Sequence, residues 1–135
     1  MPGYKSCVIY RSDQGGRGIK LYYLEAVDLS VVSEFTGLLG SCESILVKCH
    51  IPGFGALMVA SIYRPPQTSL NYFFDQLADY LAFIGNSKAV FMGDFNINTL
   101  GESNIVTNYF NLFSQFGYSG EINSGEIRPL SSLRW

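Results

Sequence analysis

The sequence predicts a single α+β domain, and three features of its pattern support this class. Two pairs of strand-like runs are separated by glycine- or proline-containing breaks, which is typical of β-hairpins. A strand, a helix with one apolar face and another strand follow in that order between Ala56 and Met92. A second amphipathic segment runs from Asn104 to Phe116. At 135 residues, the chain has the usual size of one domain.

Composition and charge narrow the class of protein. With 47% hydrophobic and 15% charged residues, the chain is too apolar to be disordered. A net charge of −2 gives no basic field for nucleic acid or membranes, and no apolar run is long enough to span a bilayer. Three cysteines make no disulfide framework, and Cys42, Cys49 and His50 lack the spacing of a zinc site. We therefore expect a soluble, intracellular protein without a membrane partner.

The first half of the chain predicts two hairpins. One joins Cys7–Tyr10 to Ile19–Leu24 across the glycine-rich break DQGGRG. The other joins Ser44–Ile51 to Ala56–Arg64 through the turn sequence PGFG. The last of these strands is almost wholly apolar up to Ala60, which predicts a strand inside a sheet covered on both faces.

Two helices and a buried strand follow. Ser69 is a suitable N-cap and Gly85 a suitable C-cap for the segment LNYFFDQLADYLAFIG. Lys88–Met92 predicts a short buried strand, parallel to the previous strand after a right-handed crossover. The expected apolar face of the first helix is Leu70, Phe73, Phe74, Leu77, Leu81 and Ile84. The expected apolar face of the second helix is Ile105, Tyr109, Phe110, Phe113 and Phe116. After Gly117 no strand is predicted, and we expect a loose tail.

The stretch VFMGDFNINTL carries the candidate chemistry. Asp94 and Asn96 are two residues apart at the exit of the buried strand, so an extended chain points both side chains one way and Phe95 toward the core. Gly93 allows a backbone or ligand to approach closely. A carboxylate beside an amide suits a phosphate and its metal ion. The alternative is a plain turn, because Asp and Asn favour turns through local hydrogen bonds.

The neighbouring segments favour the chemical interpretation. The order ASIYRPP, amphipathic helix, AVFMGDFNI resembles the endonuclease/exonuclease/phosphatase superfamily, most closely the endonuclease domain of non-LTR (LINE-type) retrotransposons with its associated reverse transcriptase. PGY followed by GGRGIKLYYL, and CESILVKCHI, are similar to the family's earlier segments. The resemblance extends from Pro2 to Tyr118, so we assign residues 2–118 to a partial domain of this family and residues 119–135 to a divergent tail.

The resemblance implies a partial four-layered sandwich, with two β-sheets packed face to face and helices outside. It implies Mg²⁺, with Mn²⁺ as an alternative, hydrolysis of a DNA phosphodiester and a nuclear location. Asp94 matches the aspartate that orients or deprotonates the attacking water and holds the metal. Asn96 matches the residue that steadies the phosphate, and Tyr63 matches the tyrosine that contacts it. Arg64 is assigned to the nucleic-acid backbone as a further substrate contact.

The sequence also departs from the family pattern. A metal-ligating glutamate that the resemblance places before Pro2 has no counterpart, and neither does a late Ser-Asp-His segment. Glu25, Glu34 and Glu43 lie in or beside strands without matching context, and the single histidine, His50, is elsewhere. We therefore expect a truncated endonuclease domain that is inactive as this single chain and that belongs with the remainder of a retrotransposon polyprotein.

Two other functions stay open from the sequence. One is a phosphatase or phosphodiesterase of the same superfamily that acts on a lipid or small phosphate, because the GDFN motif is shared widely. The other is a non-catalytic interaction module in which the aromatic tail with Trp135 binds a protein. Side chains of Asp94, Asn96 and Tyr63 that converge around a phosphate-sized space would favour the enzyme.

Overall fold

The computed structural model describes residues 2–10, 18–97, 104–121 and 131–134. The helices are α1 (Leu70–Ile84) and α2 (Asn104–Gln115), and a single 3-10 turn spans Ser33–Phe35. The strands are β1 (Tyr4–Tyr10), β2 (Gly18–Leu24), β3 (Asp28–Val31), β4 (Gly37–Leu39), β5 (Cys42–Ile51), β6 (Gly55–Tyr63), β7 (Ala89–Asp94), β8 (Ser119–Glu121) and β9 (Ser131–Arg134).

The strands form two sheets. β1 and β2 make a two-stranded antiparallel sheet, and the larger sheet has the order β3-β5-β6-β7-β9-β8, with β4 also paired to β5. The pair β6–β7 is parallel and connected through α1, whereas the other described pairs are antiparallel. The α+β class is therefore confirmed. No helix in the described ranges is long and apolar enough to cross a membrane.

Both predicted hairpins are present. β5 and β6 pair antiparallel from Ile51 opposite Gly55 to Glu43 opposite Tyr63. The turn lies within the predicted PGFG segment but is one residue shorter, because Gly55 already belongs to β6. β1 and β2 also pair antiparallel along their length. Residues 11–17, which contain most of the glycine-rich break between them, lie outside the described residues.

Helix α1 begins and ends as predicted. The Ser69 side chain accepts a hydrogen bond from the Tyr72 backbone N–H, and the Gly85 N–H donates to Leu81 at 3.0 Å with a φ of 57° at the glycine. The buried face also includes Tyr80, whose hydroxyl contacts Ser44 and the Phe35 carbonyl, while the predicted Leu70 and Phe74 are only partly buried. These two polar partners allow a tyrosine inside the core.

The buried face of α2 is rotated relative to the prediction. Val106, Tyr109 and Phe113 are buried, whereas Ile105 is 41% exposed, so its predicted place on the core stripe is wrong. The spacing of Val106 from Tyr109 and Phe113 is itself helical, and the two aromatic rings fix which neighbouring apolar residue faces inward. The rings of Tyr109 and Phe113 lie 5.1 Å apart.

Apolar residues pack on both faces of the large sheet. On one face, α1 and α2 cover a cluster that includes Leu46, Ile62 and Phe91. On the other face, Ile45 and Val47 pack against the inward side chains of β1 and β2, which are Cys7, Ile9, Ile19 and Leu21. The two sheets therefore pack face to face with the helices outside, which confirms the predicted sandwich. The described residues form three of its layers, because both helices lie on the same face.

The absence of strands after Gly117 is a wrong prediction. β9 pairs with β7, with Ala89 opposite Arg134, and β8 pairs with β9. These short, serine-rich segments have weak β-propensity, and the exposed edge of β7 supplies the partner that the sequence pattern does not reveal. The proposed boundary at residue 118 stays a prediction. The interaction role of Trp135 lies outside the described residues, as do residues 122–130.

Candidate active site

The ends of β6 and β7 bring two predicted site residues together. Because the strands are parallel, they end at the same edge of the sheet, with Tyr63 directly opposite Asp94. Residues opposite each other on neighbouring strands point to the same face. That face is the one covered further along by β1 and β2. Tyr63 is half-buried and Asp94 is exposed, so the carboxylate at this edge is accessible to solvent.

Gly93 permits this close arrangement. Its φ is 144°, and a Cβ atom at this position would lie 1.9 Å from the carbonyl oxygen of Ile62 on β6. No side chain fits there without moving the backbone of one strand. The predicted close approach at Gly93 is therefore confirmed, and it is an approach of backbone to backbone.

The chain turns immediately after β7. The Asn96 backbone N–H donates to Asp94 Oδ1 at 3.0 Å, and Asn96 has a φ of 50°. Between them, Phe95 is 2% exposed and packs on Phe73 and Tyr109, at ring distances of 5.6 and 6.1 Å. The core-facing Phe95 is confirmed. The GDFN motif therefore also forms a turn, as the alternative interpretation of the sequence predicted. The turn fixes one oxygen of the Asp94 carboxylate through the Asn96 N–H.

The Asn96 side chain has a structural contact of its own. Its Nδ2 donates to the carbonyl oxygen of Arg64 at 2.6 Å. An amide group carries two N–H bonds, so any contact with a phosphate uses the second one. The contact with Arg64 draws the ends of β6 and β7 together.

Arg64 does not occupy the position that a nucleic-acid contact needs. It is 3% exposed, and its guanidinium donates to the carbonyl oxygens of Phe95 at 2.6 Å and Asn96 at 2.8 Å. The same group donates to the carbonyl oxygens of Pro65, Pro66 and Thr68. Burial lowers the pKa of Arg64, while the nearby Asp94 carboxylate acts to raise it. The predicted substrate contact is replaced by contacts to the protein's own backbone, whose buried carbonyls need donors.

Glu43 is the residue that the sequence interpretation set aside. It lies opposite Tyr63, which in turn lies opposite Asp94, so the three residues form one row across β5, β6 and β7 on the same face. Glu43 is 3% exposed, although carboxylates are rarely buried. The register comes from the three-residue loop 52–54, because Gly55 already pairs with Ile51. Counting outward from the four-residue PGFG turn of the sequence prediction would place Glu43 opposite Arg64, so the observed register was needed to locate it.

Solved structures provide a comparison for this arrangement. The endonuclease domain of TRAS1, a telomere-specific non-LTR retrotransposon, is similar with a TM-score of 0.79 and 11% identity over 98% of this chain. A mannosyl-6-phosphatase of Bacteroides thetaiotaomicron matches with a TM-score of 0.64 and 13% identity, again over 98% of this chain. D. rerio TDP2 complexed with single-strand DNA product matches with a TM-score of 0.59, 13% identity and 98% coverage.

The chain has the endonuclease/exonuclease/phosphatase fold. The resemblance seen in the sequence is thereby confirmed for the fold. The chain spans 66%, 64% and 62% of the three structures, as a partial domain does. No protein-family model and no curated protein matches the sequence.

The family resemblance of the sequence predicts a divalent cation. Within the described ranges, no group of three or more His, Cys, Asp or Glu side chains is placed to hold a metal ion. His50 pairs with Ala56 beside the PGFG turn, at the opposite end of the sheet from Asp94. The exposed Asp94 carboxylate fits Mg²⁺ as a single protein ligand, because Mg²⁺ keeps several waters and binds through one or two carboxylates together with substrate phosphate.

Proposed function

We propose that this chain is part of an endonuclease domain of the non-LTR retrotransposon type, by descent a Mg²⁺-dependent phosphodiesterase that acts on DNA in the nucleus. The observation that carries the proposal is the parallel register of β6 and β7, which sets Tyr63 opposite Asp94. Gly93 allows the backbones of the two strands to approach closely at this point. The similarity to the TRAS1 endonuclease domain supports the retrotransposon assignment, and TDP2 with its DNA product supports DNA as partner. In this proposal the chain functions together with the remainder of a retrotransposon polyprotein.

The site residues have separate roles in this proposal. Asp94 is exposed and is oriented by the Asn96 N–H, so it is available to hold a cation and to orient or deprotonate a water molecule. Tyr63 directs its hydroxyl toward a phosphate oxygen, and the second amide hydrogen of Asn96 donates to another. Mg²⁺, or Mn²⁺ in its place, supplies neutralisation of the charge that develops on the phosphate.

The chain alone is expected to hydrolyse DNA slowly or not at all. Within the described residues, the edge holds one exposed carboxylate, Asp94, and one buried carboxylate, Glu43. The single histidine, His50, lies at the far end of β5. Groups that act together in hydrolysis lose almost the whole rate enhancement when one of them is missing.

Two measurements on the purified chain test these statements. Supercoiled plasmid with Mg²⁺ is expected to be nicked no faster than with the Asp94→Ala variant. Mg²⁺ and a short DNA duplex are expected to shift the amide signals of Gly93–Ile97 and Tyr63 saturably. Asp75→Ala is the matched control, because Asp75 is an exposed carboxylate on α1. Nicking that Asp94→Ala abolishes would overturn the inactivity, and unmoved amides at the site would overturn the phosphodiesterase assignment.

A second candidate is a phosphatase for a small phosphate ester. The structural similarity to a mannosyl-6-phosphatase favours it, because the same fold accommodates a sugar phosphate there. Titration with mannose 6-phosphate in place of DNA discriminates the two. Saturable shifts at Tyr63 and Gly93–Ile97 with the sugar phosphate, and none with duplex DNA, would replace the endonuclease proposal with this one.

A further inference from the structure

Arg64 is bonded to three consecutive residues of the candidate site. Its backbone N–H donates to the Asp94 carbonyl at 2.9 Å, continuing the pairing of β6 with β7. Its Nε donates to the Phe95 carbonyl at 2.6 Å, and its Nη2 donates to the Asn96 carbonyl at 2.8 Å. Asn96 Nδ2 donates back to the Arg64 carbonyl at 2.6 Å. Arg64 therefore forms a hydrogen bond with each of the three residues from Asp94 to Asn96.

The other side of the guanidinium holds the loop that follows β6. Nη1 donates to the Thr68 carbonyl, and the Thr68 N–H donates to the Pro65 carbonyl at 3.0 Å. The Thr68 hydroxyl also bonds to the Ser41 hydroxyl at 2.8 Å, which connects the loop to the start of β5. The guanidinium carbon lies 5.9 Å from the centre of the Phe73 ring on α1. The arginine is thus held on all sides by the fold.

The turn needs such support for two reasons. Asn96 has a positive φ, which asparagine adopts more readily than most residues with a side chain but at a higher cost than glycine, so neighbouring contacts must offset that cost. The carbonyls of Phe95 and Asn96 have left the strand ladder, so they require donors from elsewhere. A guanidinium presents five N–H bonds in one plane, whereas a lysine ammonium offers a single point of attachment.

We propose that Arg64 is a positioning residue of the candidate active site: it fixes the Phe95 and Asn96 carbonyls and thereby holds the Asp94 carboxylate beside Tyr63. The proposal rests on the proposed function for its consequence in phosphate chemistry. Its structural part, control of the Asp94–Asn96 turn by one buried guanidinium, stands on the contacts alone. An exposed phosphate-binding role would need a guanidinium that reaches solvent, and this one is 3% exposed.

The test compares Arg64→Met, Arg64→Lys and Arg64→Ala with the unchanged chain by NMR. Without metal, the HN–Hα coupling and Cβ shift of Asn96 report its φ. With Mn²⁺ as the probe, broadening of the Asp94 and Asn96 amides reports cation affinity. We expect Arg64→Met to move Asn96 away from positive φ and to weaken Mn²⁺ binding about 10-fold, the lower end of what loss of a residue behind a metal ligand costs. Arg64→Lys is expected to behave like Arg64→Met.

Two controls separate positioning from general loss of stability. Ile84→Ala removes buried volume on α1 and is expected to lower stability while leaving Mn²⁺ affinity and the Asn96 coupling unchanged. Methylguanidinium added to Arg64→Ala is expected to restore both readouts, because it fills the space and returns the planar donors. If Arg64→Met does not fold, this rescue experiment at low temperature decides the question.

The outcomes are distinct. A folded Arg64→Met variant with unchanged Asn96 coupling would overturn the positioning role, whatever the metal does. If Arg64→Met alters the HN–Hα coupling of Asn96 but leaves Mn²⁺ affinity unchanged, the turn does not control the position of the Asp94 carboxylate, and that part of the proposal is overturned. If the unchanged chain shows no saturable Mn²⁺ broadening at Asp94, the proposed function fails, while the coupling of Asn96 still decides whether Arg64 controls the turn.

Discussion

The two ends of strand β6 hold the chain in unusual backbone conformations by different means. At its start, the turn relies on Gly53 and Gly55, with φ values of 79° and 101°, and a Cβ atom on either would meet no other atom within 4 Å. At its end β6 lies beside the end of β7, where Gly93 has a φ of 144° and contacts the backbone of Ile62, and where Asn96, just after β7, has a φ of 50°. The first end is open and local, whereas the second depends on contacts between strands.

The difference shows which end requires a defined geometry. Glycine adopts a positive φ at little cost, so a turn that only reverses the chain needs nothing more. Asparagine adopts a positive φ at a higher cost than glycine, and non-glycine residues held in such conformations concentrate at functional sites. Arg64 supports the Asn96 conformation from a buried position. The C-terminal end of β6 therefore holds Asp94 in a defined position, whereas the turn at its start only reverses the chain.

The largest expected effect is that of Gly93→Ala. The added Cβ atom would lie 1.9 Å from the Ile62 carbonyl at a φ of 144°, so β6 and β7 must separate. We expect a loss of at least about 4 kcal/mol in the free energy of unfolding, a size reserved for specific structural defects. Gly53→Ala meets open space and is expected to cost only about 1–2 kcal/mol through its positive φ. Urea denaturation followed by circular dichroism measures both, and equal losses would contradict the contrast.

The second pair of variants compares the two phenylalanines at these ends. Phe95 is 2% exposed between Phe73 and Tyr109, whereas Phe54 is 39% exposed in the turn. We expect Phe95→Ala to destabilise the chain by about 3–5 kcal/mol, the usual cost of deleting a buried ring. Phe54→Ala is expected to cost about 1 kcal/mol at most, from its contact with Lys88. Thermal unfolding of the two variants side by side provides the measurement; a smaller loss for Phe95→Ala would show that the β6 exit is loosely packed.

Local sequence signals predicted most of the central fold. The hairpins followed from strand patterns beside glycine and proline, and α1 followed from Ser69, Gly85 and a helical apolar spacing. The parallel pair that sets Tyr63 opposite Asp94 followed from the strand–helix–strand order. These features depend on residues close in sequence, which is why they are readable without a structure.

The features that sequence did not predict depend on long-range contacts. β8 and β9 exist because β7 offers them an edge, not because SGE and SSLR favour strands. Arg64 was assigned to the nucleic-acid backbone through the family resemblance, and only the fold shows the carbonyls that surround it. The position of Glu43 beside Tyr63 could be assigned only from the observed register of β5 and β6. Sequence therefore located the candidate site, and the structure assigned which of its residues face solvent.

A third prediction separates backbone strain from side-chain bonding at Asn96. Asn96→Ala loses the 2.6 Å bond to the Arg64 carbonyl and keeps the unfavourable φ, so we expect about 2 kcal/mol of destabilisation. Asn96→Gly loses the same bond but adopts the φ freely, so we expect about 1 kcal/mol. Urea denaturation gives the difference. Equal values for Ala and Gly would show that the φ of 50° carries no cost, which would remove the need for support by Arg64.

The smallest effect concerns the turn at the start of β6. Lys88 Nζ lies 4.8 Å from the centre of the Phe54 ring, an exposed cation–π contact of about 0.5–1 kcal/mol. Lys88→Met should lower the free energy of unfolding by that amount and leave Mn²⁺ broadening at Asp94 unchanged, because the turn and the site lie at opposite ends of the strand. Lys48→Met, at an exposed position on β5, is the matched control. A change in Mn²⁺ affinity on loss of Lys88 would mean that the two ends are coupled through β6, and the contrast between an independent turn and a supported site would no longer hold.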